Sequence, residues 1–344
     1  MKTGFVYDPI YLKHDTGQHV ENSRRLESII SNLEQTGLKQ QLIPIKPRAA
    51  TIEELSLVHH KQHISHIRDM AQRGGGWINA DTVMSPDSYD AALYAAGGAI
   101  RATEAVINGE VSNAFALVRP PGHHATSLQA MGFCLFNNVA IATKHALASY
   151  GLERILIIDF DVHHGNGTQG TFYDNPQVLY ISTHQYPFYP GTGDVEETGS
   201  GAAKGTTINI PLPFGCGDTE YLQAFEQVIV PAAKRFSPRL ILVSAGYDPH
   251  WADELALMQV SVTGFAQMVR IIKELADELC SGRLVFSLEG GYNLTALAVS
   301  VKATFDVLLG NNNIEDPLGQ SSRGFRAPDI APLINTITKI HNLF

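Results

Sequence analysis

The feature that most constrains this chain is a repeated pairing of a short apolar run with a polar cluster at its C-terminal end. Five such runs occur, at 114–118, 154–159, 178–182, 240–244 and 284–288. They are continuous rather than alternating, the pattern of strands covered on both faces. AFALV leads into RPPGHH, ILIIDF into DVHHGNG, LYIS into THQ, LILVSA into GYD, and LVFSLE into GGYN. Helical patterns at 87–108, 138–150, 220–236 and 263–281 separate many of the runs. The alternation predicts an α/β fold with a mostly parallel sheet and helices on both faces. Ligands of open α/β sheets sit outside the carboxyl ends of the strands. Five chemistry-bearing strand ends, far apart in sequence, therefore point to one assembled site.

Composition narrows the function. The 344 residues fall within the range of one large domain, with 44% hydrophobic and 17% charged residues to build it. No repeat, low-complexity tract or linker divides the chain, so residues 1–344 read as a single domain; 74–76 and 191–205 read as Gly-rich loops within it. A net charge of −9 argues against direct nucleic-acid binding, which needs a basic footprint. Cys134, Cys216 and Cys280 form no CxxC pair, which speaks against a disulfide framework or a thiolate zinc site. The N-terminal stretch lacks an apolar run of signal-peptide length, and nothing approaches the roughly 18 apolar residues of a spanning helix. These features predict a cytoplasmic protein without membrane contact. A last helix at 331–341 reads as a cap.

Asp161 and His163 are two residues apart in an extended segment, so both side chains can face one cation. Asp248 ends another strand and can supply a third ligand. Two carboxylates and a neutral imidazole offset the charge of a zinc ion and leave a position open for water or a carbonyl. A lone DxH carries little weight; its place after a strand, with a second acid at another strand end, is what gives it meaning.

His123 and His124 follow Arg119-Pro120-Pro121-Gly122, whose prolines restrict the backbone. Adjacent histidines beside a metal suit proton transfer, one taking a proton from attacking water and returning it to a leaving amine. Each needs a partner to fix its tautomer, and Asp159 and Asn166 flank the metal segment. A second pair, His59-His60, reads as part of a helix without chemistry. Tyr292, after Gly290-Gly291, can donate a hydrogen bond to a developing oxyanion.

Together, RPPGHH, GFCLFNN, DFDVHHGNGTQ, STHQ, PGTGD, AGYD and LEGGYN resemble the histone deacetylase superfamily, in order and strand context, from about Gly4 to at least Leu309. Asn166 after HHG is similar to the class II type and to bacterial deacetylase-like amidohydrolases. The resemblance implies the single-domain arginase/deacetylase fold with one eight-stranded parallel sheet. It implies Asp161, His163 and Asp248 as zinc ligands, His124 as general base and acid, and His123, paired with Asp159, as its electrostatic partner. Asn166 would orient His124, and Tyr292 would polarise the carbonyl. A structural potassium ion would involve Asp159, Asp161, His163, Ser182 and Thr183, and a more distant one Phe172, Asn175 and Val178. Gly132, Phe133 and Tyr189 would line the acyl-lysine tunnel. Leu255 falls where a related branch selects polyamines with a glutamate, with Glu254 one position away. Val20 stands where the family has proline, and the stretch after Asp81 matches too poorly to assign a substrate-gripping acid.

The resulting expectation is zinc-dependent hydrolysis of acyl-lysine in proteins or peptides, with acetylpolyamines or other small amides as the alternative substrates and oligomerisation open. A binuclear manganese ureohydrolase would need further aspartates, but Gly165 and His250 occupy the places where they would stand. A non-catalytic binder would have lost a metal or acid–base residue, and none is missing.

Overall fold

Residues 2–343 are described by a computed structural model. Eight strands form one sheet in the order β2-β1-β5-β10-β9-β6-β7-β8, every neighbouring pair parallel. They are β1 (Thr3–Val6), β2 (Ile43–Ile45), β5 (Asn113–Ala116), β6 (Ile155–Asp159), β7 (Val178–Gln185), β8 (Thr207–Leu212), β9 (Leu240–Ala245) and β10 (Leu284–Leu288). A small antiparallel hairpin, β3 (Gly76–Trp77) and β4 (Val83–Met84), stands apart. The five runs read from the sequence are β5, β6, β7, β9 and β10, the interior of the sheet apart from β1. Nearly every residue in them is buried, as continuous apolar runs require.

The three unread strands have physical reasons to be quiet. β1 and β2 have only four and three residues. The edge strands β2 and β8 contain Pro44 and Pro211, which the middle of a sheet would not tolerate.

Two packed groups of helices cover the sheet. Ser88–Ile107 packs on Asn138–Tyr150, and Arg24–Gln35 and Val262–Cys280 both pack on Leu294–Leu309. Alanine at 91, 92, 95, 96, 99, 102 and 105 keeps the buried faces of Ser88–Ile107 small and allows close approach. Asn137 caps its helix by accepting from the Ala140 N–H at 3.0 Å, and Gly151 ends it in the left-handed region. The expected helix at 220–236 is continuous but contains a π-helical turn, Phe225–Ile229.

The reading of His59-His60 as helical is corrected. His60 is the N-cap of Lys61–Gln72, and His59 lies before it, buried. His59 bridges Thr126 O (2.8 Å) and Asn137 N (2.8 Å), tying together the segments that follow the RPPGHH motif.

Candidate active site

The carboxyl ends of β5, β6, β7, β9 and β10 converge on one cavity of about 210 Å³. Its walls are Gly132, Phe133, Phe188, Tyr189 and Leu255, with His124, His163 and Tyr292 below and Asp81 beside them. Larger surface depressions occur elsewhere, among them one of about 470 Å³ near Arg235 and His341, away from these strand ends.

Asp161, His163 and Asp248 present ligand atoms within 4.8 Å of one another. His163 Nδ1 lies 3.1 Å from Asp161 Oδ1 and 3.2 Å from Asp248 Oδ2. Donors bound tetrahedrally at about 2.0–2.1 Å stand at about this separation, so the set fits a zinc-sized cation. The remaining carboxylate oxygens are anchored by backbone: Gly290 N donates to Asp161 Oδ2 (2.8 Å) and Val162 N to Asp248 Oδ1 (3.0 Å). Asp248 Oδ2 is buried and, beyond the poorly directed approach of His163 Nδ1, has no hydrogen-bond partner, the state of an oxygen that a cation satisfies. Gly290 is required here, because a Cβ would lie 2.2 Å from Asp248 Oδ2 and 2.5 Å from Asp161 Oδ2.

The electrostatics describe the same conflict. Burial opposes ionisation of Asp161, yet His123 and the hydrogen bonds from His163 hold it well below the usual carboxylate range. Burial, with Asp161 beside it, pushes Asp248 up to about 7. Against burial, the two carboxylates raise the pKa of the His163 between them to about 9, so the cluster calls for positive charge, which a divalent cation would supply.

His123 and His124 lie side by side, ring centres 4.0 Å apart, but in opposite environments. Burial works against a charge on His123, but Asp159 and Asp161 overcome it and hold its pKa near 10. Asp159 Oδ2 is 3.1 Å from His123 Nδ1. Burial, then His123 and His163, push His124 well below the ordinary histidine range, so it is a neutral imidazole with a free lone pair. Its Nδ1 lies 2.8 Å from Asn166 Oδ1, which accepts the Nδ1 proton and leaves Nε2 unprotonated. Tyr292 is held as the phenol by burial. Its ring meets Phe133 edge-on at 5.7 Å and lies 5.0 Å beneath the Arg25 guanidinium.

Asp159 and Ser182 are register partners on β6 and β7, both wholly buried, with Thr183 next to them. Thr183 Oγ1 has no partner. Phe172, Asn175 and Val178 lie in the turn into β7, where Asn175 N donates to Phe172 O and Val178 N to Asn175 O.

Several participants escaped the sequence reading. Glu289 is wholly buried; its Oε2 accepts from the N–H groups of Gly122 (2.6 Å) and His123 (3.1 Å), fixing the histidine loop. Burial pushes its pKa up to about 7. Glu21 holds Arg119 through two bonds, Nε to Oε1 (2.5 Å) and Nη2 to Oε2 (2.8 Å), and so anchors the start of the same loop. Val20 is exposed, whereas Glu21 next to it is wholly buried. Phe188 stacks on His163 at 5.5 Å. Asp81 reaches the cavity rim: its Oδ1 accepts from Gly132 N (3.1 Å) and Thr82 Oγ1 (2.6 Å), and, after burial, its charge raises the pKa of the Tyr189 hydroxyl. The available signal was the Asn-x-Asp-Thr turn, in which Asn79 Oδ1 accepts from Asp81 N and Thr82 N.

A parallel eight-stranded sheet carrying an Asp-His-Asp cluster, a histidine pair and a tyrosine at its strand ends defines the arginase/deacetylase class of hydrolase. The sequence profile of the Histone deacetylase domain matches residues 19–308. A protein of Archaeoglobus fulgidus named "Probable deacetylase" is 43% identical over 297 residues, 86% of this chain and 82% of that one. Histone deacetylase 14, chloroplastic, of Arabidopsis thaliana is 42% identical over 88% of this chain and 76% of its own. The solved HD domain of HDA15 superposes with a TM-score of 0.90 at 36% identity, covering 100% of this chain and 95% of that one. The chain belongs to the histone deacetylase family, whose members hydrolyse acetyl amides.

Proposed function

We propose that this chain is a zinc-dependent deacylase of acyl-lysine side chains, folded as one domain over 1–344. The observation that carries the reading is the convergence of Asp161, His163 and Asp248 with His124 and Tyr292 at the base of one apolar cavity. A single zinc ion held by the three ligands would polarise the amide carbonyl and acidify a water molecule.

The chain's own residues supply the rest. Phe133, Tyr189 and Leu255 sheath an extended aliphatic stem, and Gly132 leaves room beside His124. Neutral His124, with Asn166 fixing its tautomer, takes a proton from the attacking water at Nε2 and later returns it to the leaving amine. His123, held cationic by Asp159, adds positive charge one layer below. The Tyr292 hydroxyl donates to the carbonyl oxygen as negative charge grows there.

Leu255 lines the cavity, whereas Glu254 is exposed and borders a neighbouring depression. An apolar wall favours a neutral stem over a polyamine. The buried Asp159–Ser182 pair and unpartnered Thr183 Oγ1 support a structural potassium ion. The three cysteines are free and buried, and no helix among the described residues is long and apolar enough to cross a membrane; both are compatible with the cytoplasm.

The test is a kcat/KM comparison on an acetyl-lysine peptide and acetylspermidine, with metal content measured on the same sample. The expected result is one zinc per chain and a preference for the peptide. A strong polyamine preference would overturn the substrate, and full turnover by His124→Ala or Tyr292→Phe would overturn the mechanism.

A further inference from the structure

Tyr292 follows two glycines, and Gly291 has a φ of +110°. Such a backbone has little intrinsic direction, so its anchors decide where the phenol points. On one side Arg25 donates to the carbonyls of Glu289 (2.5 Å) and Gly291 (2.7 Å). On the other stands Asp253, 1% exposed, on the loop after β9. Its Oδ2 accepts from the N–H groups of Tyr292 (2.6 Å) and Asn293 (2.9 Å), the residues that lead into the helix Leu294–Leu309. Its Oδ1 accepts from Leu255 N (3.0 Å), on the tunnel wall. One carboxylate thus fixes both the tyrosine and the Leu255 wall of the cavity.

The loop that carries Asp253 is itself held from outside the matched domain. Arg323, beyond residue 308 where the profile match ends, donates Nη2 to Asp253 O (2.5 Å) and Nη1 to Ala256 O (2.8 Å). Trp251 Nε1 donates to Gly319 O (2.9 Å), a second tie between the same loop and the C-terminal segment.

We propose that Asp253 is the positioning residue of Tyr292 and that Arg323, in the C-terminal segment, secures it there. The proposal rests on the role given to Tyr292 above. Asp253 touches neither substrate nor metal ligand in this arrangement; it acts through the tyrosine backbone. Asparagine cannot replace it, because one of its two ends is a donor and would face an N–H group whichever way it turned.

The test is a double-mutant cycle in the full-length, zinc-loaded enzyme, read as kcat and KM separately on an acetyl-lysine peptide. Asp253→Asn is expected to lower kcat by roughly 10- to 100-fold with little change in KM, the signature of a displaced transition-state donor. In a Tyr292→Phe background the same replacement should cost less than about 3-fold, because the two residues act as one unit. Arg323→Gln should show a smaller loss of the same form, with Arg323→Lys restoring part of it and zinc content and Tm unchanged. Equal losses with and without the tyrosine hydroxyl overturn the proposal, as does unchanged kcat in both Asp253→Asn and Arg323→Gln. If Asp253→Asn does not fold, the half-buried Arg323 variants carry the same cycle. If Tyr292→Phe alone turns over at the parent rate, the role of the tyrosine falls and the positioning claim with it, a result distinct from additivity.

Discussion

A Cβ built on Gly132 would lie 2.2 Å from Cδ2 of His124. The backbone there has a φ of +56°, and Phe133 after it has +69°, so two consecutive residues occupy the left-handed region beside the proposed base. Gly132→Ala therefore combines backbone strain of about 1 kcal/mol with a displaced imidazole. The expected outcome is a kcat loss on the order of 100-fold with the zinc content unchanged, since the proposed metal ligands lie in other loops, after β6 and β9. Steady-state kinetics and metal analysis on one preparation check both halves.

Asp161 and Asp248 predict a reversal of sign. In metal-free protein their buried negative charges oppose one another, so Asp248→Asn should raise Tm. In zinc-loaded protein the same change removes a ligand and should lower it, because bound metal stabilises the fold by mass action. Thermal melts with chelator and with excess zinc make the comparison; a loss of Tm in both states would count against the metal assignment.

Legibility in the sequence followed burial and local pattern. β6, β9 and β10 announce themselves because a strand buried on both faces must be continuously apolar. The Asp161, His163 and Asp248 cluster was readable because it follows β6 and β9 within four residues, and the His123-His124 pair because it sits in the loop that leaves β5. Asp81 and Asp253 were not, because their work is done through backbone N–H groups contributed by segments 51 and 39 residues distant. No spacing rule relates such partners; only the closed tertiary structure brings them together. Glu289 lay inside a quoted motif, yet its role depends on reaching the N–H groups of Gly122 and His123, which sequence cannot show.

A network away from the site gives a pH prediction. Glu104 lies 3.0 Å from His145 Nε2 and 2.6 Å from Arg101 Nη1, with Arg48 at 3.5 Å. His145, and then Arg101 and Arg48 against the opposing effect of burial, lower its pKa from 4.5 to about 2. A carboxylate depressed on folding stabilises the protein above its unfolded pKa, and that contribution is lost as pH falls through the folded value. Glu104→Gln should therefore lower Tm at pH 6–7, and the gap from the parent should close between about pH 4.5 and pH 2. A gap that persists unchanged at the acid end would show that the ionised carboxylate is not what stabilises.

Leu255 offers the sharpest test of substrate choice. Its side chain lines the tunnel, and its backbone is fixed by Asp253, so a replacement side chain will project into the same space. A carboxylate there would sit in an apolar, partly desolvated wall, where attraction to a cation is stronger than in water. Leu255→Glu should accordingly raise kcat/KM for acetylspermidine by about 10-fold, equivalent to about 1.4 kcal/mol of new charge pairing. Turnover of an acetyl-lysine peptide, whose aliphatic stem gains nothing from the charge, should fall. Measuring both substrates on both proteins separates a change of selectivity from a general loss. A parallel fall in the two would mean that the wall at 255 does not read the stem, and selection would then have to lie at the rim, where Asp81 and Tyr189 meet.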